Sequence, residues 1–266
     1  MGIHIMELID IGLNLMHKQY NKDRINVMKE AQEVGVSKAI ITGSSLASSK
    51  QAVEYASKHP NMLYSTCGVH PHDAKSCDEN TIETLRNLAK NDCVVAIGEC
   101  GLDYNRNFSP QNVQRKWFEK QVELAEELDM PLFLHDRESY DDFAKILRKH
   151  KTVAKRSVVH CFTGNKYEAE DYLDLGCYIG VTGWICDDRR NKELLEAIKV
   201  IPENRLMIET DGPFLIPRDF EVKVKGTRNE PKYLPHILRR ISKEMGISEE
   251  KLGESVTSNT YEFFKI

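Results

Sequence analysis

The sequence predicts a (β/α)8 TIM barrel, a single domain over residues 1–266 with an extra C-terminal helix, on three observations. Eight short runs rich in apolar and β-branched residues recur along the chain, each closing on polar or glycine positions. Each run is followed by a longer segment with helical spacing of apolar residues. Several runs, among them VVAIG and PLFLH, are almost continuously apolar, as parallel strands buried on both faces require. Parallel strands need crossover helices, and eight such units in about 250 residues match a closed barrel.

In chain order, MELIDIGLNL (near Ile9) precedes a helical segment over 23–34, SKAIITGSS (Ile40) one over 49–59, and LYSTCGVHPHD (Cys67) one over 81–90. CVVAIGECGLD (Ala96) leads into 111–128, PLFLHDR (Phe133) into 140–150, and SVVHCFTG (Val159) into 166–175. CYIGVTGW (Gly180) is followed by 191–200 and RLMIETDGPFL (Ile208) by 233–245. The last stretch, ISEEKLGESVTSNTYEFF, reads as the additional helix, packed across the barrel. A doubly wound open sheet is the alternative, because local patterning does not establish closure.

A hydrophobic fraction of 41% and a charged fraction of 29% are those of an ordinary soluble protein. No apolar stretch approaches the roughly 20 residues that span a bilayer, so no membrane association is expected. The opening MGIHIMELIDIG lacks the basic start and small-residue cleavage site of a secretory signal, which predicts a cytoplasmic protein. The seven cysteines form no CxxC pair and read as reduced thiols. A net charge of −4 argues against a surface coated in Lys and Arg, while leaving room for a local basic mouth.

In such a barrel the working residues stand at the C-terminal ends of the strands. Four runs end there in chemistry: Glu99 in GECGLD, His135 in HDR, His160 in HCFTG and Asp211 in ETDGP. One such residue alone is as readily a cap or a hydrogen-bonding group. Four on aligned strand ends converge on one mouth. Two imidazoles and two carboxylates make a mixed nitrogen and oxygen ligand set for a divalent metal, suited to Zn2+, Mn2+ or Fe2+, and to Mg2+ if water or substrate oxygens complete the shell. The expected chemistry is metal-assisted hydrolysis, with Asp211 as general base and Glu99 as the second catalytic carboxylate. An alternative makes Glu209 the functional acid and Asp211 the cap of the next turn. His70 and His72, beyond the third strand, are expected to contact substrate or to stabilise their loop. His4, His17, His59, His150 and His236 read as structural or surface residues.

The motifs GVHPHD, AIGECGLDYNRNF, LHDR, HCFTG and ETDGPFLIPRD resemble the TatD family of metal-dependent deoxyribonucleases, within the wider amidohydrolase superfamily. The likeness continues through YIGVTGWICDDRR, GTRNEPKYLPHIL and SNTYEFF, and so runs over essentially the whole chain. It implies a TIM-barrel phosphodiesterase acting on DNA, commonly a 3′→5′ exonuclease with Mg2+ support, with Mn2+ or Zn2+ as substitutes. It also implies metal-ligand roles for Glu99, His135, His160 and Asp211, and substrate or supporting roles for His72, Asn105, Arg106 and Arg137. Single-stranded DNA, with RNA as a second candidate, is the partner expected of a monomer. A place in DNA repair is suggested by the family alone.

One departure matters. Many relatives carry Asp-x-His-x-His on the first strand, whereas this chain reads Asp10-Ile11-Gly12-Leu13-Asn14, as in the TatD-proper branch. Gly12 has no side chain to ligate with and Asn14 offers only a neutral oxygen, so one firmly held ion is expected rather than two. A polyanionic substrate also calls for cations at the mouth, and the loops supply Arg106, Arg137, Arg189, Arg190, Arg218, Lys223, Lys225 and Arg228. Asp187, Asp188, Asp219 and Glu221 lie in the same segments and offset part of that charge. Trp184 and Phe214 are candidates for stacking on a terminal base or for packing at the rim. Two rival functions share the fold: an amidohydrolase-type C–N or ester hydrolase of a small molecule, and a noncatalytic nucleic-acid-binding protein.

Overall fold

The computed structural model describes residues 6–221, 224 and 226–266. Eight parallel strands follow one another in sequence order: β1 (Leu8–Leu13), β2 (Val36–Ile41), β3 (Leu63–Cys67), β4 (Val94–Asp103), β5 (Leu132–Arg137), β6 (Ser157–Val159), β7 (Tyr178–Val181) and β8 (Leu206–Ile208). Between and after them run α1 (Arg24–Glu33), α2 (Leu46–Ala56), α3 (Thr81–Leu88), α4 (Gln111–Glu127), α5 (Tyr140–Lys149), α6 (Lys151–Ala154), α7 (Lys166–Asp174), α8 (Lys192–Ala197), α9 (Leu234–Met245) and α10 (Glu249–Phe264). The sheet closes just past β8. The Asp211 N–H donates to the Gly12 carbonyl and the Asn14 N–H to the Gly212 carbonyl, both at 2.8 Å. The open-sheet alternative is thereby excluded, and the predicted barrel is the fold.

Side chains pointing into the barrel form a core of their own, including Ile11, Ile40, Ala96, Phe133, Val158 and Met207. α10 closes one end of it. Its Phe263 and Phe264 pack on that core, and the Asn259 side-chain amide donates to the carbonyls of Glu203 and Leu206, at the start of β8, both at 2.8 Å. Burial of the N-terminal end in this way leaves the C-terminal end as the open mouth, the arrangement in which barrel enzymes work.

Two expected boundaries move for identifiable reasons. α2 starts at Leu46 rather than near residue 49, because Ser45 and Ser48 form a reciprocal capping box ahead of it. The helix expected over 140–150 stops at Lys149 and is followed directly by the short α6, with His150 held in a non-helical conformation between them.

Candidate active site

β4 brings the first candidate residue, Glu99, into the barrel by bending. The register between β4 and β5 slips between Gly98 and Cys100, so Glu99 is carried inward in mid-strand instead of alternating outward. Gly98 and Gly101, at φ +138° and +146°, flank the inserted residue, and a Cβ on either would lie 2.2 Å from the Phe133 carbonyl oxygen or 1.9 Å from that of His135. The strand then runs on to Asp103, buried beside His135 and His72.

Three imidazoles converge on a single oxygen of Glu99. Oε1 lies 3.3 Å from His70 Nε2, 3.2 Å from His135 Nδ1 and 2.8 Å from His160 Nε2. Burial works to raise the Glu99 carboxyl, and the His70 and His160 imidazoles overcome it and hold it well below its ordinary value. Burial likewise disfavours the charged forms of His135 and His160. It is outweighed at His135 by the hydrogen bonds to Asp103 and Glu99, and at His160 by the charges of Glu209 and Glu99, so both rings are raised. His70 goes the other way, and burial takes it down to about 3.

The second nitrogen of each ring sorts these histidines. His160 Nδ1 lies 3.2 Å from Glu209 Oε2, and His135 Nε2 lies 3.3 Å from Asp103 Oδ2. A carboxylate at one nitrogen keeps the proton there and leaves the lone pair of the other for a metal, the arrangement of metal-ligating histidines. With an ion in place of the proton shared with Glu99, the lone pair of each ring is on the nitrogen that faces Glu99. At His70 the pattern is reversed: Nδ1 accepts the His72 backbone N–H at 3.1 Å, so the proton sits on Nε2 and the ring acts as a donor. Ligand atoms of His70, Glu99 and His135 do lie within 4.8 Å of one another. Proximity therefore includes His70 in the cluster, while its hydrogen bonding assigns it the role of donor.

Asp211 faces the same cleft from the loop after β8, at φ 53°, a left-handed conformation that a non-glycine residue adopts only where its surroundings impose it. The Asn14 amide donates to its Oδ1 at 2.9 Å. Burial, moderated by the nearby His160, lifts its carboxyl to about 8. Glu209, two residues earlier, is completely buried and turns inward. Its Oε1 accepts the Cys161 N–H at 2.5 Å, and its Oε2 fills the space beside Gly12, where an added Cβ would lie 2.0 Å away.

The cleft of about 480 Å3 is lined by His70, His72, Glu99, His135, His160 and Asp211, together with Asn14, Arg106, Arg137, Trp184, Arg190 and Phe214. Among the described residues, Arg106 and Arg137 have no carboxylate within ion-pair distance, so two guanidinium charges are available at the mouth. Phe214 and Phe108 expose 47% and 54% of their surface, and Phe108 sits edge-on to His72 with ring centres 4.7 Å apart.

Two expected substrate residues stand elsewhere. Arg228 is not in the cleft lining: its guanidinium donates to Asp23 at 2.7 and 2.9 Å, to Glu230 and to the Gln19 carbonyl, which ties the loop after β8 to the start of α1. Asn105 is also outside it, its amide donating to Glu138 at 2.6 Å. Lys223, Lys225 and His4 lie outside the described residues. Sequence reasoning passed over Asp103 as an orienting acid and saw in Glu209 only a rival to Asp211. The one available signal was that each is an acid within four residues of a candidate ligand, Glu99 or Asp211.

The donor set fits a divalent cation. The buried Glu99 carboxylate has the His135 and His160 imidazoles within 3.2 Å, their other nitrogens already engaged by Asp103 and Glu209, and the Asp211 carboxylate lines the same cleft, an oxygen and nitrogen set of the kind that holds such an ion.

Comparison with known proteins agrees with this architecture. The model of the family described as TatD-related DNase matches residues 9–265. A protein of Pantoea sp. (strain At-9b) named 3′-5′ ssDNA/RNA exonuclease TatD is 45% identical, the match covering 97% of this chain and 100% of that one. The crystal structure of a TatD-family hydrolase from Entamoeba histolytica superimposes with a TM-score of 0.87 at 31% identity, covering 97% and 98% of the two chains. That of a TatD homologue from Escherichia coli K12 gives a TM-score of 0.90 at 26% identity, covering 98% and 99%. With the family model matching from the first strand to the last helix, the chain belongs to the TatD family of nucleases.

Proposed function

We propose that the protein is a divalent-metal-dependent 3′→5′ exonuclease that prefers single-stranded DNA, with RNA as a second substrate, and that works as a cytoplasmic monomer with Mg2+. The observation that carries the reading is the pairing of His135 with Asp103 and of His160 with Glu209, which turns both free nitrogens toward Glu99. The relatives' names supply the substrate class. Among the described residues no helix is long and apolar enough to cross a membrane.

Glu99, His135, His160 and Asp211 would hold the ion. When bound, a divalent ion supplies Lewis acidity, polarising the phosphoryl group and making water more acidic. With a cation's charge beside it to keep the carboxylate ionised, Asp211, whose Oδ1 is engaged by Asn14, would take the proton of the attacking water on Oδ2. His70, with its proton on Nε2 directed at Glu99 Oε1, would help hold that carboxylate in place, and Arg106 and Arg137 would answer the charge of the strand.

A digestion time course with end-labelled single- and double-stranded DNA and RNA, with and without Mg2+ or Mn2+, tests the whole reading. Stepwise, metal-dependent shortening of single strands from the 3′ end is expected. Asp211→Ala and His135→Ala should abolish it, and unchanged activity in either would remove the mechanism. Turnover of cyclic amides or lactones without any phosphodiester cleavage would instead favour the small-molecule hydrolase.

A further inference from the structure

At one side of the mouth the loops after β7 and β8 meet backbone to backbone. A Cβ on Gly183 would lie 2.2 Å from the Leu215 carbonyl oxygen, and the Arg218 N–H donates to the Cys186 carbonyl at 3.3 Å. Asp187 sits at this junction with its side chain only 3% exposed. Three arginines gather on its carboxylate. Arg189 donates from Nε at 2.7 Å and Nη2 at 2.6 Å, Arg190 Nε lies at 3.0 Å, and Arg218 Nε at 3.6 Å. Their side chains are 66%, 41% and 56% exposed.

One buried negative charge thus organises three outward-facing positive ones and leaves two in excess. The next acid, Asp188, does not cancel them, because it is paired with Arg240 at 2.9 Å. One guanidinium is enough to satisfy Asp187. The second and third add mutual repulsion, and exposed ion pairs return little stability for it. The cluster is also stiffened: the Arg190 guanidinium lies 3.7 Å over the Trp184 ring, whose Nε1 donates to the Arg190 carbonyl at 3.2 Å. Trp184 and Arg190 line the cleft that contains His135 and Asp211, so the charge begins inside the site and continues outward along its rim.

We infer that Arg189, Arg190 and Arg218, held together by Asp187, form a phosphate subsite for the part of the strand beyond the bond being cut. The inference rests on the nuclease reading and extends it, naming the surface that holds the rest of the polyanion. Guanidinium groups fixed in this way meet phosphates along a flexible backbone, and each such meeting releases counterions. Affinity for long strands should therefore depend on salt more steeply than affinity for short ones.

The test is fluorescence anisotropy with a labelled long phosphorothioate oligothymidylate and the corresponding dinucleotide, in Mg2+, over a series of NaCl concentrations. The proteins are wild type, Arg189→Gln, Arg218→Gln, the double variant, and Arg189→Lys/Arg218→Lys. Removing one guanidinium from the phosphate backbone should flatten the slope of log affinity against log salt by about 0.7, and removing two by about 1.4. The loss of affinity should be larger for the long strand than for the dinucleotide, and the lysine pair should keep most of the slope. Arg218→Gln guards against misfolding, since its 3.6 Å approach to Asp187 is the loosest of the three. Equal slopes in wild type and the glutamine variants overturn the subsite, as does an equal loss on both lengths. A wild type that binds with the arginine-dependent slope and leaves ordinary DNA intact overturns the nuclease reading and sustains the subsite.

Discussion

Gly12→Ala is the most informative single change to this site. The added methyl would stand 2.0 Å from Glu209 Oε2 and 3.2 Å from both Glu209 Cδ and Phe133 Cζ. Real Cβ atoms essentially never approach a neighbour closer than 3.0 Å, so the carboxylate must retreat by about 1 Å. It is poorly placed to do so, with one oxygen taking the Cys161 N–H at 2.5 Å and the other 3.2 Å from His160 Nδ1. Overpacking a core costs about 1–3 kcal/mol. Loss of a hydrogen bond to a charged group adds roughly 1.5–3 kcal/mol. A destabilisation of about 2.5–6 kcal/mol is expected, together with a loss of metal affinity of roughly 10–100-fold, on the order seen when the partner of a ligating histidine is disturbed. Urea unfolding of wild type, Gly12→Ala, Glu209→Ala and the double variant measures the first, and calorimetric titration with Mn2+ the second. With Glu209 truncated the methyl enters vacated space, so the two changes should be less than additive by about 0.5–3 kcal/mol. Additive costs, or a Gly12→Ala protein with wild-type stability and metal affinity, would refute the competition between residue 12 and Glu209.

Three further expectations concern one acid beneath the site and two residues remote from it. Burial raises Asp10 to about 7, while an unfolded Asp titrates near about 3.9, so between these values the folded protein keeps a proton that the unfolded chain has released. Its contribution to stability is complete below that window and is lost as the pH rises through it; Tm should therefore fall more steeply with rising pH in wild type than in Asp10→Asn, and parallel curves would contradict the assignment. Asn259→Ala, which strands the carbonyls of Glu203 and Leu206 beneath α10, should cost about 1–3 kcal/mol in urea unfolding with cleavage otherwise unchanged. Arg228→Ala should lower stability by roughly 1–3 kcal/mol through its paired, three-quarters-buried guanidinium and leave oligonucleotide affinity within error, whereas a selective loss of affinity would return it to the substrate site.

The barrel was legible because its signal is local: an apolar run, a polar end and a helical segment, repeated eight times, need no knowledge of distant neighbours. Glu99, His135, His160 and Asp211 stood out as candidates because reactive side chains at the end of a buried strand are unusual and because four such ends coincided, and the fold brings all four to one cleft. What the sequence could not supply was the direction in which a ring or carboxylate points. His70 and His135 look alike as letters, yet a backbone N–H on Nδ1 makes one a donor and a carboxylate on Nε2 gives the other a free lone pair. Arg228 looked like a phosphate-binding residue because its neighbours in the chain are loop residues. Its partner Asp23 is 205 positions away, and no local pattern reveals such a pairing.

The same limit explains why the first strand read as a deficit. Without histidines at residues 12 and 14, Asp10-Ile11-Gly12-Leu13-Asn14 has the look of a site with part of it missing. In the fold, the space a side chain on Gly12 would take is filled by Glu209, which orients His160, and Asn14 is engaged with Asp211. Asp10 anchors the segment between those acids by accepting the Thr210 N–H at 2.9 Å. The strand therefore works through the residues after β8 rather than by offering ligands of its own. A glycine at 12 and an inward Glu209 are two parts of one solution, since the pocket between Gly12 and His160 has room for only one side chain. On that ground the site is proposed to hold one ion firmly, with Asp10 and Asn14 positioning the acids after β8 rather than ligating a second.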